Sequence, residues 1–358
     1  MKDPFPFDPA ATDQILDWTA RRIADGPDPK HGAQAFAALE PILGGSITAD
    51  GIGGEAAFGL FTDTIVPSTR PFGHPTSLSF VASAPSRAAL SFDAALGAAG
   101  IFAGNWDGGA GAIHAENQAL RWIADLASWG DSAGGVFVAG GTLGNLSALH
   151  AAREWHRRTH GRRNRRTHGR RNRRAILCSS EAHSSIAAVA RIMDVEVILV
   201  PADASGRMFG EAAKAHLDDH VFAIVANGGA TNCGAVDDIA GLADLAQAHG
   251  LWLHVDGAYG GAALADPVMR PAFDGIEKAD SLIVDPHKWL FAPYDSCALI
   301  YRDAGHGAAA HGQQAVYLDT VDKTHWNPSD YALHLTRRAR GLPLWYALAT
   351  HGTRAYTQ

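Results

Sequence analysis

The sequence predicts an α/β fold, a mostly parallel sheet covered by helices on both faces and preceded by an N-terminal helical arm. Two observations predict it. From residue 136 onward, short continuous apolar runs alternate with segments of helical spacing, the pattern of strands buried on both faces by crossover helices. Gly140, Thr231, Asp256 and Asp285, all suited to ligand chemistry, each follow one of those runs. Parallel sheets gather ligands outside the carboxyl ends of their strands, so these four residues are expected at one end of one sheet.

The elements follow in order. Residues 1–70 are rich in Pro, Gly and Ala and form an N-terminal arm, with 10–24 and 32–42 suited to helices. Leu120, Ile123, Ala124 and Leu126 fall on one helical face and predict a helix from about Ala115 to Trp129. Val136–Ala139 reads as a strand, and 142–156 as a helix after the turn Gly140-Gly141. Strands are then expected at Ala175–Cys178, Glu196–Val200 and Val221–Ala226, with helices at Ser184–Met193, 210–218 and Asp237–His249 between and after them. Leu251–Val255, Ser281–Val284 and Ala298–Tyr301 complete the strands. The large domain is placed at 71–340, and 341–358 is read as the start of a C-terminal region.

Composition bounds the class. The 358 residues are 47% hydrophobic and 19% charged, an ordinary soluble balance. No run of 18 uncharged apolar residues exists, so no membrane span is expected. The N-terminus, Met1-Lys2-Asp3-Pro4-Phe5-Pro6, has no apolar signal region. Cys178, Cys233 and Cys297 lack CxxC spacing, which suits a reduced cytoplasmic protein. Net charge is −7, yet residues 157–174 carry ten arginines in a tandem Arg-Arg-Thr-His-Gly-Arg-Arg-Asn repeat, leaving about −17 on the remainder. That segment lacks interleaved aromatic residues and reads as an exposed loop rather than a nucleic-acid surface. The histidines include no HExxH and no zinc-type Cys/His cluster, so no metal is expected.

One pair stands out. Lys288 lies in Asp285-Pro286-His287-Lys288-Trp289, downstream of His254-Val255-Asp256-Gly257-Ala258-Tyr259. A lysine amine that captures an aldehyde, and a carboxylate that keeps a pyridine nitrogen protonated, are what pyridoxal 5'-phosphate chemistry requires. Taken singly, each has a bland alternative: a surface lysine, and an N-cap or structural ion pair for Asp256. Gly140-Gly141-Thr142 joins a strand to a helix and suits a phosphate dianion, although glycine turns are common there. His183, at a helix start, is fit to stack on a flat ring and handle protons, or merely to cap its helix. Thr231 is a loop hydroxyl with the same ambiguity.

Taken in order, these segments resemble the group II pyridoxal-phosphate-dependent decarboxylases, which include aromatic-L-amino-acid, histidine and glutamate decarboxylases. The carrying residues are Gly140-Gly141-Thr142 with Asn145-Leu146, Ala182-His183-Ser184-Ser185, Thr231 before Gly234-Ala235-Val236-Asp237-Asp238, His254 to Tyr259, and Pro286-His287-Lys288-Trp289. Tyr317-Leu318, Arg337-Arg338 and Leu344-Trp345 extend the match. The resemblance implies a fold-type-I enzyme, a homodimer acting on an amino acid. It implies Lys288 as the Schiff-base lysine, Asp256 as the pyridinium partner, and Ala258 and His183 on the two ring faces. Gly140, Gly141, Thr142 and His287 would lie near the phosphate and Thr231 near the ring substituents. A loop after Tyr317 would carry Tyr331 as proton donor. The expected reaction is decarboxylation of an L-amino acid to its amine. The alternatives are another carbon–carbon lyase or an aldehyde-forming oxidative decarboxylase on the same cofactor, or a silent binding protein of the same fold. Three departures are visible. Gly257 after Asp256 and Gly260 after Tyr259 stand where many relatives have alanine. Asp285 stands where some relatives have an asparagine, and relatives continue into a small C-terminal domain that is expected to be lacking here.

Overall fold

The computed structural model describes residues 8–81, 84–160, 174–312 and 324–357. Tyr317, Leu318 and most of the arginine repeat lie outside the described residues. Seven strands form one sheet: β1 (Gly134–Val138), β2 (Ala175–Ser179), β3 (Glu196–Val200), β4 (Val221–Asn227), β5 (Trp252–Asp256), β6 (Ser281–Val284) and β7 (Cys297–Tyr301). Their spatial order is β1-β7-β6-β5-β4-β2-β3. β7 runs antiparallel to both neighbours, while β6, β5, β4, β2 and β3 pair in parallel. A mostly parallel sheet therefore forms as the apolar runs require. The antiparallel strand, for which no residue in the sequence pattern speaks, closes the gap beside β1.

Side chains alternate between two cores. Phe137, Leu177, Ile224, Leu253, Leu282 and Ile300 point into one layer, where α5 (Trp106–Leu126), α9 (Ile239–His249) and α12 (Leu342–His351) pack. Val136, Val138, Cys178, Val225, Ile283 and Leu299 point into the other, against α6 (Gly141–Thr159) and α7 (Ser184–Met193). This two-sided burial is why the strands read as continuous apolar runs.

Expected and observed elements differ where local chemistry is weak in the sequence. Helix α5 begins at Trp106, nine residues before the expected start, because Asn105 caps it through Gly108 N–H at 3.0 Å. Gly109 breaks the helical backbone there, and glycine at that density masks helical propensity. The helix expected at 210–218 stops at Lys214. Helix α6 continues to Thr159, so Arg157 and Arg158 of the repeat form its last turn, where cations suit the helix dipole.

The N-terminal arm holds α1 (Pro9–Asp25), α2 (Phe36–Leu43) and α3 (Gly54–Leu60). Among its described residues it buries only Ala11, while Phe36 is 77% and Ile47 97% exposed. At the other end of the chain, Leu344 on α12 enters the main core, so residues just past 340 pack with the large domain. Helix α12 also contacts α4 (Arg87–Ala99).

Candidate active site

Outside the carboxyl ends of β1, β4, β5 and β6 lies a cavity of about 490 Å³, a size suited to a cofactor with a small substrate. Lys288 lines it from α10 (Pro286–Trp289), the short helix after β6. Its Nζ lies 3.1 Å from Asp285 Oδ2, and the lysine side chain is 24% exposed against 2% for the aspartate. Asp285 Oδ1 is buried and has no partner among the described residues. Among the described residues the amine is thus paired with a single carboxylate oxygen, and it stays accessible from the cavity.

Asp256 ends β5 and is nearly buried. Its Oδ2 accepts from Asn145 Nδ2 at 2.9 Å and its Oδ1 from Ala258 N–H at 3.2 Å. Both oxygens therefore face donors, the arrangement that suits a carboxylate serving as counter-charge to a ring cation. His183 both caps α7 and lines the cavity: its Nδ1 accepts from Ser185 N–H at 3.2 Å and lies 2.9 Å from Ser185 Oγ. The two readings of this histidine are thus compatible. Ala258 lines the same space, and Thr231 reaches it from the exposed loop after β4.

The phosphate end is built on the start of α6. Gly140 joins β1 to the helix with φ +137°, a conformation that side chains disfavour. A Cβ on Gly141 would come within 3.2 Å of both Ala258 Cβ and Asp285 Oδ2, so backbone there approaches the site closely because it has no side chain. Helix α6 brings a positive end and free amide groups to the cavity, and Thr142 adds a hydroxyl. His287 is anchored by Nδ1 donating to Ser296 O at 2.6 Å. An amine, a donor-held carboxylate and an anion-binding helix end thus border one cavity. These residues fit pyridoxal 5'-phosphate.

Tyr331, expected as a proton donor, stands apart from these residues. It is not among the residues that line the cavity. Its ring stacks on Trp326 with centroids 4.1 Å apart, and its backbone oxygen accepts from Tyr301 Oη at 3.1 Å. Burial pushes its hydroxyl up to about 12, with Asp330 adding to the effect. Asp285 was expected at this end of the sheet but not as the partner of Lys288, and two residues were missed as site residues: Asn145 as partner of Asp256, and His254 behind Asn145, with Nε2 2.8 Å from Asn145 Oδ1. The Asn145 and His254 partnerships span more than a hundred residues of chain, and no local pattern announces them. Cys297 is buried on β7, and burial, with Asp285 beside it, pushes its thiol well up, so it is a packing residue.

Comparison with known proteins agrees with this geometry. The model of the pyridoxal-dependent decarboxylase conserved domain matches residues 56–358. An aromatic-L-amino-acid decarboxylase of Bacillus atrophaeus is 29% identical over 297 residues, 80% of this chain and 60% of the relative. A cysteine sulfinic acid decarboxylase of Mus musculus is 34% identical over 250 residues, 66% of this chain and 50% of the relative. The chain thus spans about half to three-fifths of the length of these curated relatives. The crystal structure of mouse CSAD superposes with a TM-score of 0.84 at 26% identity, covering 98% of this chain and 76% of the other. With the lysine, the aspartate and the helix end on one cavity, and the domain model matching from the arm onward, the chain belongs to the pyridoxal-dependent decarboxylase family.

Proposed function

We propose that the protein decarboxylates an L-amino acid to its amine and CO2 with pyridoxal 5'-phosphate held in this cavity. The observation that carries the reading is the meeting of Lys288, Asp256 and the α6 N-terminus around one space. When bound, the cofactor supplies the electron sink for the bond that breaks. The chain's own groups do the rest. Asp256, oriented by Asn145 and Ala258, would face the ring nitrogen and favour positive charge there. Gly141 and Thr142 at the helix start take the phosphate, with His287 beside them. Lys288 provides the amine that links to the cofactor, and Asp285 holds that amine when it is free. His183, which lines the cavity, would cover the ring and present its Nε2 toward the substrate. Leu143, Val189 and Ile192 give the cavity an apolar wall that limits water.

The reading includes a homodimer, supported by the apolar side chains that the arm leaves exposed, Phe36 and Ile47 among them. It also includes a cytoplasmic setting. In support, no helix among the described residues is long and apolar enough to cross a membrane, and all three cysteines are free thiols.

The test is to incubate the cofactor-loaded protein with each common amino acid and to assay CO2, amine and aldehyde together. Equal amounts of CO2 and amine are expected from at least one substrate. Aldehyde with peroxide would replace the reaction assigned here, and no product from any amino acid would remove it.

A further inference from the structure

Behind Asp256 a line of buried polar groups runs across the sheet. Trp252 Nε1 lies 2.8 Å from Ser281 Oγ, and Ser281 Oγ lies 2.8 Å from His254 Nδ1. His254 Nε2 lies 2.8 Å from Asn145 Oδ1, and Asn145 Nδ2 lies 2.9 Å from Asp256 Oδ2. A branch leaves Asn145, whose Nδ2 lies 3.0 Å from Ser185 Oγ, itself 2.9 Å from His183 Nδ1. All but His183 are buried.

The two ends of the line dictate its direction. The indole of Trp252 can only donate, and an ionised carboxylate can only accept. If Asn145 presented its oxygen to Asp256, two acceptors would face each other inside the protein, a costly arrangement. Asn145 therefore gives its NH2 to Asp256 and Ser185, and its oxygen to His254. His254 must then carry its proton on Nε2 and accept on Nδ1, where the hydroxyl of Ser281 supplies it. Ser281 in turn accepts from Trp252. Along the branch, Ser185 accepts from Asn145, so its own hydroxyl points to His183 Nδ1, which the Ser185 N–H also contacts. Nδ1 of His183 is thereby an acceptor, and the ring proton is confined to Nε2, which has no protein partner among the described residues. Burial holds the His254 ring below the ordinary imidazole range and so keeps it neutral.

We infer that His254, Asn145 and Ser185 are positioning residues: one directional hydrogen-bond chain, started by Trp252, turns a donor onto the Asp256 carboxylate and fixes the tautomer of His183 at the same time. The chain couples two properties that the cofactor needs, the charge beneath its ring nitrogen and a proton held at His183 Nε2. Reversal of the chain is possible only if Asp256 takes up a proton. Tautomer and charge are therefore read from each other. This inference rests on the proposed cofactor chemistry for its purpose, but its direction is a property of the protein alone.

The experiment is 15N NMR of protein labelled in histidine, recorded without and with pyridoxal 5'-phosphate, with His183 and His254 assigned through His183→Gln and His254→Gln. Both rings are expected as the neutral Nε2–H tautomer near neutral pH. Asn145→Asp keeps the shape but turns an acceptor toward Asp256. It is expected to make His254 an imidazolium and to weaken pyridoxal 5'-phosphate binding about tenfold or more, a change of ~1.4 kcal/mol. A His254 that carries its proton on Nδ1, or is charged in the unsubstituted protein, overturns the inference. So does an Asn145→Asp protein in which both the histidine signals and cofactor affinity are unchanged. If circular dichroism shows that Asn145→Asp does not fold, the tautomers of the unsubstituted protein decide alone. Because these are read without cofactor, a chain with the stated direction in a protein that converts no amino acid would sink the decarboxylase reading and leave this one standing.

Discussion

Two acid–base pairs in this molecule look alike on paper and are built for opposite ends. Glu116 on α5 and Arg337 form a bidentate pair at 2.6 and 2.7 Å, both nearly fully buried. Gly341 N–H also donates to Glu116 at 2.7 Å, and Arg337 also donates to Ala103 O. The pair locks α5 to the segment that leads into α12. Lys288 and Asp285 instead touch through one oxygen at 3.1 Å; the second oxygen is unpartnered among the described residues and the amine is partly exposed. The Glu116–Arg337 pair, saturated at every nitrogen and oxygen but Arg337 Nε, cannot exchange partners without loss, whereas an undersaturated one can release its lysine to a ligand. The difference lies in the number of satisfied hydrogen bonds rather than in depth alone.

The largest expected effect tests the undersaturated pair. Lys288→Ala should abolish turnover and the visible absorbance band of the bound cofactor. Lys288→Met, which keeps the length of the side chain, should do the same. An unchanged absorbance spectrum would remove Lys288 from the chemistry.

The saturated pair should respond in the opposite sense. Glu116→Gln leaves Arg337 buried without a counter-charge and should cost about 3–5 kcal/mol in urea unfolding. Activity per folded molecule should change little. The double variant Glu116→Leu with Arg337→Met should recover most of the loss, because an apolar pair of similar volume carries no desolvation cost. A single variant as stable as the parent would show that the pair locks nothing.

Acid should weaken the scaffold by a third route. His311 is buried on α11 (Ala304–His311), and burial holds it down to about 4, with His150 also lowering it. The unfolded chain binds a proton on this ring below a pH of about 6.5, while the folded chain does not until about 4. Stability from this group is therefore complete above the unfolded value and is lost as pH falls through that window, by at most about 3 kcal/mol. Urea midpoints across this range should fall with acidity, and His311→Gln should flatten the slope. An equal slope in the variant would assign the loss to other groups.

The sequence made the scaffold legible because burial on both faces writes itself into contiguous apolar runs. Strands at Glu196–Val200 and Ser281–Val284 and helix Ser184–Met193 were read to the residue. Lys288, Asp256 and His183 were legible as a set because each sits where a strand gives way to the next loop or helix. The pairing of Lys288 with Asp285 was not, since a four-residue helix, α10, decides which oxygen meets the amine. Nor was the support of Asp256 by Asn145 and His254, because it joins α6 to β5 across the core. Charge state is decided by such tertiary partners, and residue type alone does not carry it.

Tyr331 gives the smallest expected effect and sharpens the comparison furthest. Its ring is held by Trp326 and its backbone by Tyr301, so it resembles Glu116 and Arg337 in being fixed by its neighbours rather than Lys288 in being poised. A hydroxyl that donates a proton in the reaction is worth ~100-fold or more. Tyr331→Phe keeps the stack on Trp326 and removes only that hydroxyl, so turnover should change by less than about threefold, under ~1 kcal/mol. A hundredfold loss with an unchanged melting temperature would mean that residue 331 leaves its stack during turnover and reaches the substrate. It would then have to shed both the Trp326 contact and the Tyr301 hydrogen bond, and Trp326→Ala, by loosening the ring in advance, should speed the reaction rather than slow it.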